Sequence, residues 1–265
     1  MRSRAPANIK PLVGIPLDTG YNLSPNLDSI ILNEGAGYKI RNEIWKGAEP
    51  TFQSTKPTWQ VGRDGPELKF ANATDYFAFP GDQLQQFTTE SFIKMGSTVT
   101  SGEIYRMNEG STVSGTYERQ LSITGNSAFR FYVYSGGTYA VEGPINQIGS
   151  GGVGKYYHIV GVLNSTTMYL YVNGTLTGSL AAPGAYNGYG SPYSILGNSF
   201  DGSIVYVRRW SRALTHTEVW SLYTNRYQMY SEPRRRSFMP VAAAGGATNW
   251  GPLLSLQNNR LVGAY

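Results

Sequence analysis

Between residues 156 and 223 the chain carries short apolar runs that alternate like strands. Tyr156-Tyr157-His158-Ile159-Val160-Gly161-Val162 is β-branched and aromatic, a composition that packs well on a pleated surface. Met168-Tyr169-Leu170-Tyr171-Val172 follows, then Asn173-Gly174, then Thr175-Leu176-Thr177. Asn-Gly between two such runs predicts a two-residue hairpin, because both turn positions need φ > 0. Another strand is predicted over Phe200-Asp201-Gly202-Ser203-Ile204-Val205-Tyr206-Val207-Arg208-Arg209-Trp210. A short helix is then predicted to start at Thr215. Thr215 and Glu218 have capping-box spacing, and Val219, Leu222 and Tyr223 form the helix's apolar side.

Upstream, Leu27-Asp28-Ser29-Ile30-Ile31-Leu32, Trp59-Gln60-Val61-Gly62, Glu67-Leu68-Lys69-Phe70 and residues 75–81 resemble the opening strands of laminin-G-like domains. Phe87-Thr88-Thr89-Glu90-Ser91-Phe92-Ile93-Lys94-Met95 alternates as a core strand should. Residues 101–106, 120–124 and 128–134 add three more, separated by Gly, Ser and Asn clusters with turn chemistry. Phe129-Arg130-Phe131-Tyr132-Val133-Tyr134 has aromatics on both faces, which predicts a central strand lined on both sides. Gly149-Ser150-Gly151-Gly152-Val153-Gly154 reads as a plain connector, since it lacks the Lys-Ser/Thr sequel of a phosphate loop and the GxGxxG spacing.

This order of parts resembles the laminin-G-like domain of the concanavalin-A-like lectin and glucanase group. Tyr157-His158-Ile159-Val160 resembles its "wHhva" strand, and Leu170-Tyr171-Val172-Asn173-Gly174 its "lYvnG" hairpin. Phe200 through Tyr223 resembles its "f.G.i..vr.y.raLs..Ei..ly" strand and helix. Near the start, Leu32-Asn33-Glu34-Gly35-Ala36-Gly37 resembles the "lnEGsG" turn; Phe92 stands where the family usually has Trp. The resemblance implies an all-β, two-sheet antiparallel jelly-roll sandwich over residues 27–227 with one short C-terminal helix. It leaves an extended arm at 1–26 and a basic and apolar extension at 228–265.

Composition sharpens this picture. Thirty-two Gly, fourteen Pro and twenty Tyr favour many strands joined by turns. With no Cys there is no disulfide framework, thiolate metal site or Cys nucleophile. The N-terminus leads into no sustained apolar run, so no secretory signal is expected. No stretch reaches the roughly 18 apolar residues of a membrane span. The formal charge of +5 sits at the ends: Arg2, Arg4 and Lys10 at one, Arg234, Arg235, Arg236 and Arg260 at the other. A near-neutral body argues against a nucleic-acid-binding face. Basic arms suit docking on an acidic surface instead.

The candidate chemistry points to binding rather than catalysis. A retaining glucanase on this fold needs two carboxylates about 5–5.5 Å apart on one strand face, and the 17 acids never alternate that way. Glu43 and Glu49, either side of Trp45, are too far apart along the chain. His158 and His216 come without ligand spacing and are expected to be structural. Calcium, which relatives often bind through loop oxygens, has candidate ligands in Asp75, Asn198 and Asp201; these are also ordinary turn residues. Tyr186, Tyr189 and Tyr193 mark a tyrosine-rich loop suited to a protein interface, to packing on its own sheet or to a glycan. Asn22, Asn72, Asn164 and Asn173 each open an Asn-x-Ser/Thr triplet and read more simply as turn asparagines.

The exit Leu-Tyr-Thr-Asn-Arg-Tyr-Gln-Met-Tyr-Ser-Glu-Pro-Arg-Arg-Arg-Ser-Phe, residues 222–238, resembles the "lY.NPwqif.PrrrffF" segment of laminin-G-like proteins of tailed-phage particles. It departs at Arg226 and Tyr227, where that family tends to have Pro and Trp. The resemblance implies a non-enzymatic virion protein, a capsid decoration or tail-associated component. Its arms would dock on neighbouring capsid or tail subunits through Arg234, Arg235, Arg236, Phe238, Trp250 and Tyr265, with several copies per particle. The other reading is a lectin-like module for a cell-surface glycan, with calcium or without a cofactor.

Overall fold

The computed structural model describes residues 27–32, 51–52, 57–63, 65–71, 77–80, 85–96, 101–109, 117–125, 127–144, 152–182 and 192–226. The arms at 1–26 and 228–265 lie outside them. The described strands are β1 (Leu27–Leu32), β2 (Thr51–Phe52), β3 (Thr58–Gly62), β4 (Gly65–Phe70), β5 (Phe77–Pro80), β6 (Phe87–Met95), β7 (Gly102–Glu109) and β8 (Tyr117–Ile123). They continue with β9 (Phe129–Tyr134), β10 (Thr138–Glu142), β11 (Tyr156–Leu163), β12 (Thr167–Val172), β13 (Thr175–Ala181), β14 (Pro192–Leu196) and β15 (Gly202–Trp210). The single described helix is α1 (His216–Thr224), and no described helix is long and apolar enough to cross a membrane.

All pairings are antiparallel and build two sheets. One runs β13-β12-β11-β6-β15-β4-β3, the other β10-β9-β8-β7-β14-β5-β2. β15 is long enough to take two partners on one side. Gly202 to Ile204 face Phe70 to Leu68 of β4, while Tyr206 to Trp210 face Leu32 to Leu27 of β1. The two-sheet jelly-roll expected from the sequence is therefore the fold.

Alternation places the core. On β6, Phe87, Ile93 and Met95 point between the sheets, joined there by Phe70, Ile104, Leu121, Phe129, Phe131, Val133, Ile159 and Leu170. Each such side chain contributes about 1.5–3 kcal/mol when fully buried. Packing is close enough to dictate a glycine: a Cβ on Gly161 of β11 would run into the Phe131 ring. Arg209 also turns inward and ties the sheets together, its Nη1 donating to Tyr105 Oη (2.9 Å) and Ser194 Oγ (3.2 Å).

A bulge on β15 resets its alternation. Ile204 faces Ile93 and Tyr206 faces Phe92, so Val205 is an extra residue. Val205 and Tyr206 then share the outer face with Phe92, and Arg208 and Trp210 follow on that side. Here α1 packs, burying Val219 and Leu222 against Val160, Val162, Tyr171, Trp210 and Leu214. The predicted cap is present. Thr215 accepts from the Glu218 N–H, and Glu218 reaches back to the Thr215 N–H (2.8 Å). Arg212 adds two bonds to the same carboxylate (3.0 and 2.6 Å). Burial pushes the Glu218 carboxyl up, but these bonds outweigh it and hold the group below its ordinary value.

The predicted hairpin forms with Asn173 at φ 51° and Gly174 at φ 76°, the geometry of a type I′ turn. Two expectations fail. Tyr193 does not belong to a loop but to β14, opposite Pro80 and Asn108; Pro192 is tolerated because it opens the strand. And β9 is not lined on both sides. It is next to the edge of its sheet, with Phe129, Phe131 and Val133 buried but Arg130, Tyr132 and Tyr134 half-exposed.

Candidate recognition face

Three strand glutamates, Glu67 and Glu90 buried and Glu103 partly so, are each bonded by their neighbours. Glu90, on the outer face of β6, accepts at Oε1 from Arg208 Nη2 (2.5 Å), His158 Nε2 (2.8 Å) and Tyr206 Oη (3.0 Å). All four residues are buried. Burial raises the Glu90 carboxyl, but the Arg208 charge, the His158 bond and charge, and the Tyr206 bond together outweigh it and hold it below its ordinary value. Arg208 also donates from Nη1 to the Arg226 carbonyl (2.8 Å), pinning the chain just past α1. Beside the network Phe92 is stacked between Tyr156 (5.4 Å) and Tyr206 (5.7 Å), with the Arg226 guanidinium 4.3 Å from its ring.

Glu67 of β4 lies on the same outer face. It accepts from Gln60 Nε2 and from Tyr156 Oη (2.9 Å), with Lys94 Nζ at 3.9 Å. Glu67 lies across β15 from β6 and level with Phe92, two residues along from Glu90, so Glu67 and Glu90 stand on the order of 12 Å apart at ordinary strand rise and spacing. That is far beyond the spacing of a glycosidase pair.

The third, Glu103 of β7, belongs to the outer face of the other sheet and opens a polar ladder there. It accepts from Arg106 Nη1 (2.8 Å), Gln120 Nε2 (2.8 Å) and Asn198 Nδ2 (2.7 Å). Gln120 in turn accepts from Arg130 Nη2 (3.1 Å), and Arg130 Nε donates to Ser122 Oγ (3.3 Å). Glu142 of β10 stands 4.0 Å from Arg130 Nη1. Along β9 the half-exposed row continues through Tyr132, which faces Gln120 on one side and small Ala140 on the other, to Tyr134 opposite Thr138. The result is a row of partly exposed tyrosines bordered by side chains already fixed by hydrogen bonds, a combination that can meet a hydroxyl-rich ligand.

The sequence-predicted residues fall elsewhere or outside. Tyr186, Tyr189, Arg234, Arg235, Arg236, Phe238, Trp250 and Tyr265 lie outside the described residues, as do Glu43, Trp45, Glu49 and Asp75. Of the proposed calcium ligands, Asn198 turns its amide to Glu103, and Asp201 packs its carboxylate where a side chain on Gly96 would sit. Among the described residues no three His, Asp or Glu side chains gather as a metal site. His158 is buried and bonded to Glu90. The Arg130–Tyr132–Tyr134 row stands in the sequence as every second residue of a strand, and its aromatics made it read as a covered face.

Residues 71–220 match the family model Laminin_G_3, described as the concanavalin A-like lectin/glucanases superfamily, and the chain belongs to that family. No curated protein matches it. Among solved structures it is similar to domain 4 of AbnA, an extracellular arabinanase from Geobacillus stearothermophilus, in complex with arabinotriose. The identity is 16%, the TM-score 0.59, and the match covers 75% of this chain and 98% of that one. It is similar to the binding domain of Paraclostridial Mosquitocidal Protein 1 at 14% identity and TM-score 0.57, covering 76% of this chain and 53% of that one. The ligand binding domain of botulinum neurotoxin serotype D, in complex with N-acetylneuraminic acid, matches at 11% identity and TM-score 0.57, covering 75% and 50%. The chain thus spans about half the length of the toxin domains. At these identities the likeness shows a lectin-like fold.

Proposed function

We propose that the sandwich is a non-catalytic carbohydrate-binding module, using the outward row Arg130, Tyr132 and Tyr134 with Gln120 and Glu142 to hold a surface glycan. The observation that carries this reading is Tyr132, partly exposed opposite Ala140 and flanked by a guanidinium already fixed on Gln120 and Ser122. Side chains held by one another lose little freedom on binding. The solved relatives named above include domains bound to arabinotriose and to N-acetylneuraminic acid, and the buried glutamates are all engaged by neighbours. On a glycan array Tyr132→Ala is expected to lower binding at least tenfold while the fold survives. Absence of binding by the unaltered chain, or no loss on substitution, overturns the reading.

A second reading concerns where the module works. The exit at residues 222–238 and the basic ends favour a virion component, fastened to capsid or tail subunits by its arms in several copies. Deleting residues 228–265 is expected to leave a folded domain that no longer enters particles. Normal incorporation of the truncated chain would overturn it.

A further inference from the structure

Helix faces turned to solvent ordinarily carry charge, and α1 departs from this. Its one charged residue, Glu218, is turned into the domain against Arg212. The exposed positions are His216, Thr217, Trp220 and Thr224. Trp220 is 47% exposed although it is the largest side chain on the helix, and Leu176 on β13 is 44% exposed. Leu176 faces Tyr171 across the hairpin, Tyr171 meets the His216 ring at 5.6 Å, and His216 lies one turn from Trp220. Leu176, His216 and Trp220 therefore border one continuous surface.

The indole is held in place. It lies over Gly174, where a Cβ would approach Trp220 Cε3 to 2.8 Å, and against the Tyr223 ring at 5.7 Å. A fixed, half-exposed indole offers a flat face whose ordering cost has already been met by the fold.

We propose that this face of α1 is a second binding site and that its occupant is an uncharged saccharide ring stacked on Trp220. Size argues for a small ligand. The exposed parts of Trp220 and Leu176 come to roughly 200 Å², far short of the ~800 Å² per partner of a stable protein interface. Charge argues for a neutral one, since no charged side chain lies on the exposed helix face. A sugar presents C–H groups to an aromatic face and hydroxyls to its rim, and His216 and Thr217 supply polar groups there. The site lies on the outer side of the eight-stranded sheet, away from the Tyr132 row on the seven-stranded one, so the two are separable.

The test compares the full chain with Trp220→Ala, Trp220→Phe and Tyr132→Ala on one array of neutral and acidic oligosaccharides, with thermal melts to confirm folding. Trp220→Ala is expected to lose binding to a set of neutral glycans at least tenfold, Trp220→Phe to keep part of it, and Tyr132→Ala to keep all of it. The proposal is overturned if Trp220→Ala binds every glycan as the unaltered chain does. It is equally overturned if that variant loses only attachment to protein. Loss confined to Tyr132→Ala upholds the Tyr132 glycan site and rejects this one; loss confined to the Trp220 variants upholds this site and rejects the Tyr132 one.

Discussion

Replacing Glu90 with alanine is expected to cost the domain about 3–5 kcal/mol, the range for removing one member of a buried charge pair. The variant would leave the Arg208 guanidinium buried without the carboxylate that neutralises it, and would take an acceptor from His158 and Tyr206 together. Because Arg208 also holds the Arg226 carbonyl, the end of α1 should loosen too. A urea titration at neutral pH measures the loss, and a change below about 1 kcal/mol, well under the range for a buried pair, would show the network to be energetically idle. The same carboxylate sets a pH dependence. Its value in the folded protein lies below the ordinary 4.5, so the unfolded chain takes up its proton first as the pH falls. The stabilisation is complete above that ordinary value and fades as pH drops through the lowered folded one. Glu218 acts in the same direction. Glu90→Gln should therefore be less stable at neutral pH but flatter between about pH 5 and pH 3 than the unaltered protein.

What could be read from the sequence was what is written locally. The Asn173-Gly174 turn, the Thr215–Glu218 cap and the alternation of β6 each depend on residues within a few positions of one another, and all are present. The buried network could not be read that way. Glu90 meets His158 across 68 positions, Tyr206 across 116 and Arg208 across 118. Only the pairing of β6 between β11 and β15 brings them together, and Arg208 faces outward only after the Val205 bulge has shifted the register. Period-2 reasoning without that bulge puts Arg208 and Trp210 on the wrong face. β14 was hidden for another reason: its opening proline follows a Gly- and Tyr-rich stretch, and both signals read as loop. For β9 the difference comes from treating tyrosine as core. On a sheet near its edge, tyrosine serves equally well half in water, its ring packed and its hydroxyl solvated.

Gly197→Ala is expected to be the most damaging of three single-methyl changes, because two penalties meet at one residue. Gly197 has φ +80°, and a Cβ there would collide with the Phe70 ring in the core. The two costs are separable in the same molecule. Gly136 has φ +66° with nothing within 4 Å of where its methyl would sit, so Gly136→Ala isolates the backbone cost, about 1–2 kcal/mol. Gly161 has no such φ but would push its methyl into Phe131, so Gly161→Ala isolates overpacking, about 1–3 kcal/mol. The Gly197 variant should lose roughly the sum of these, about 2–5 kcal/mol. Phe70 cannot swing aside, for its ring is fully buried against Phe200 at 6.3 Å. Urea midpoints for the three variants decide the matter. Should Gly197→Ala prove no worse than Gly136→Ala, the core around Phe70 yields to an added methyl, and close packing is not what fixes the turn into β15.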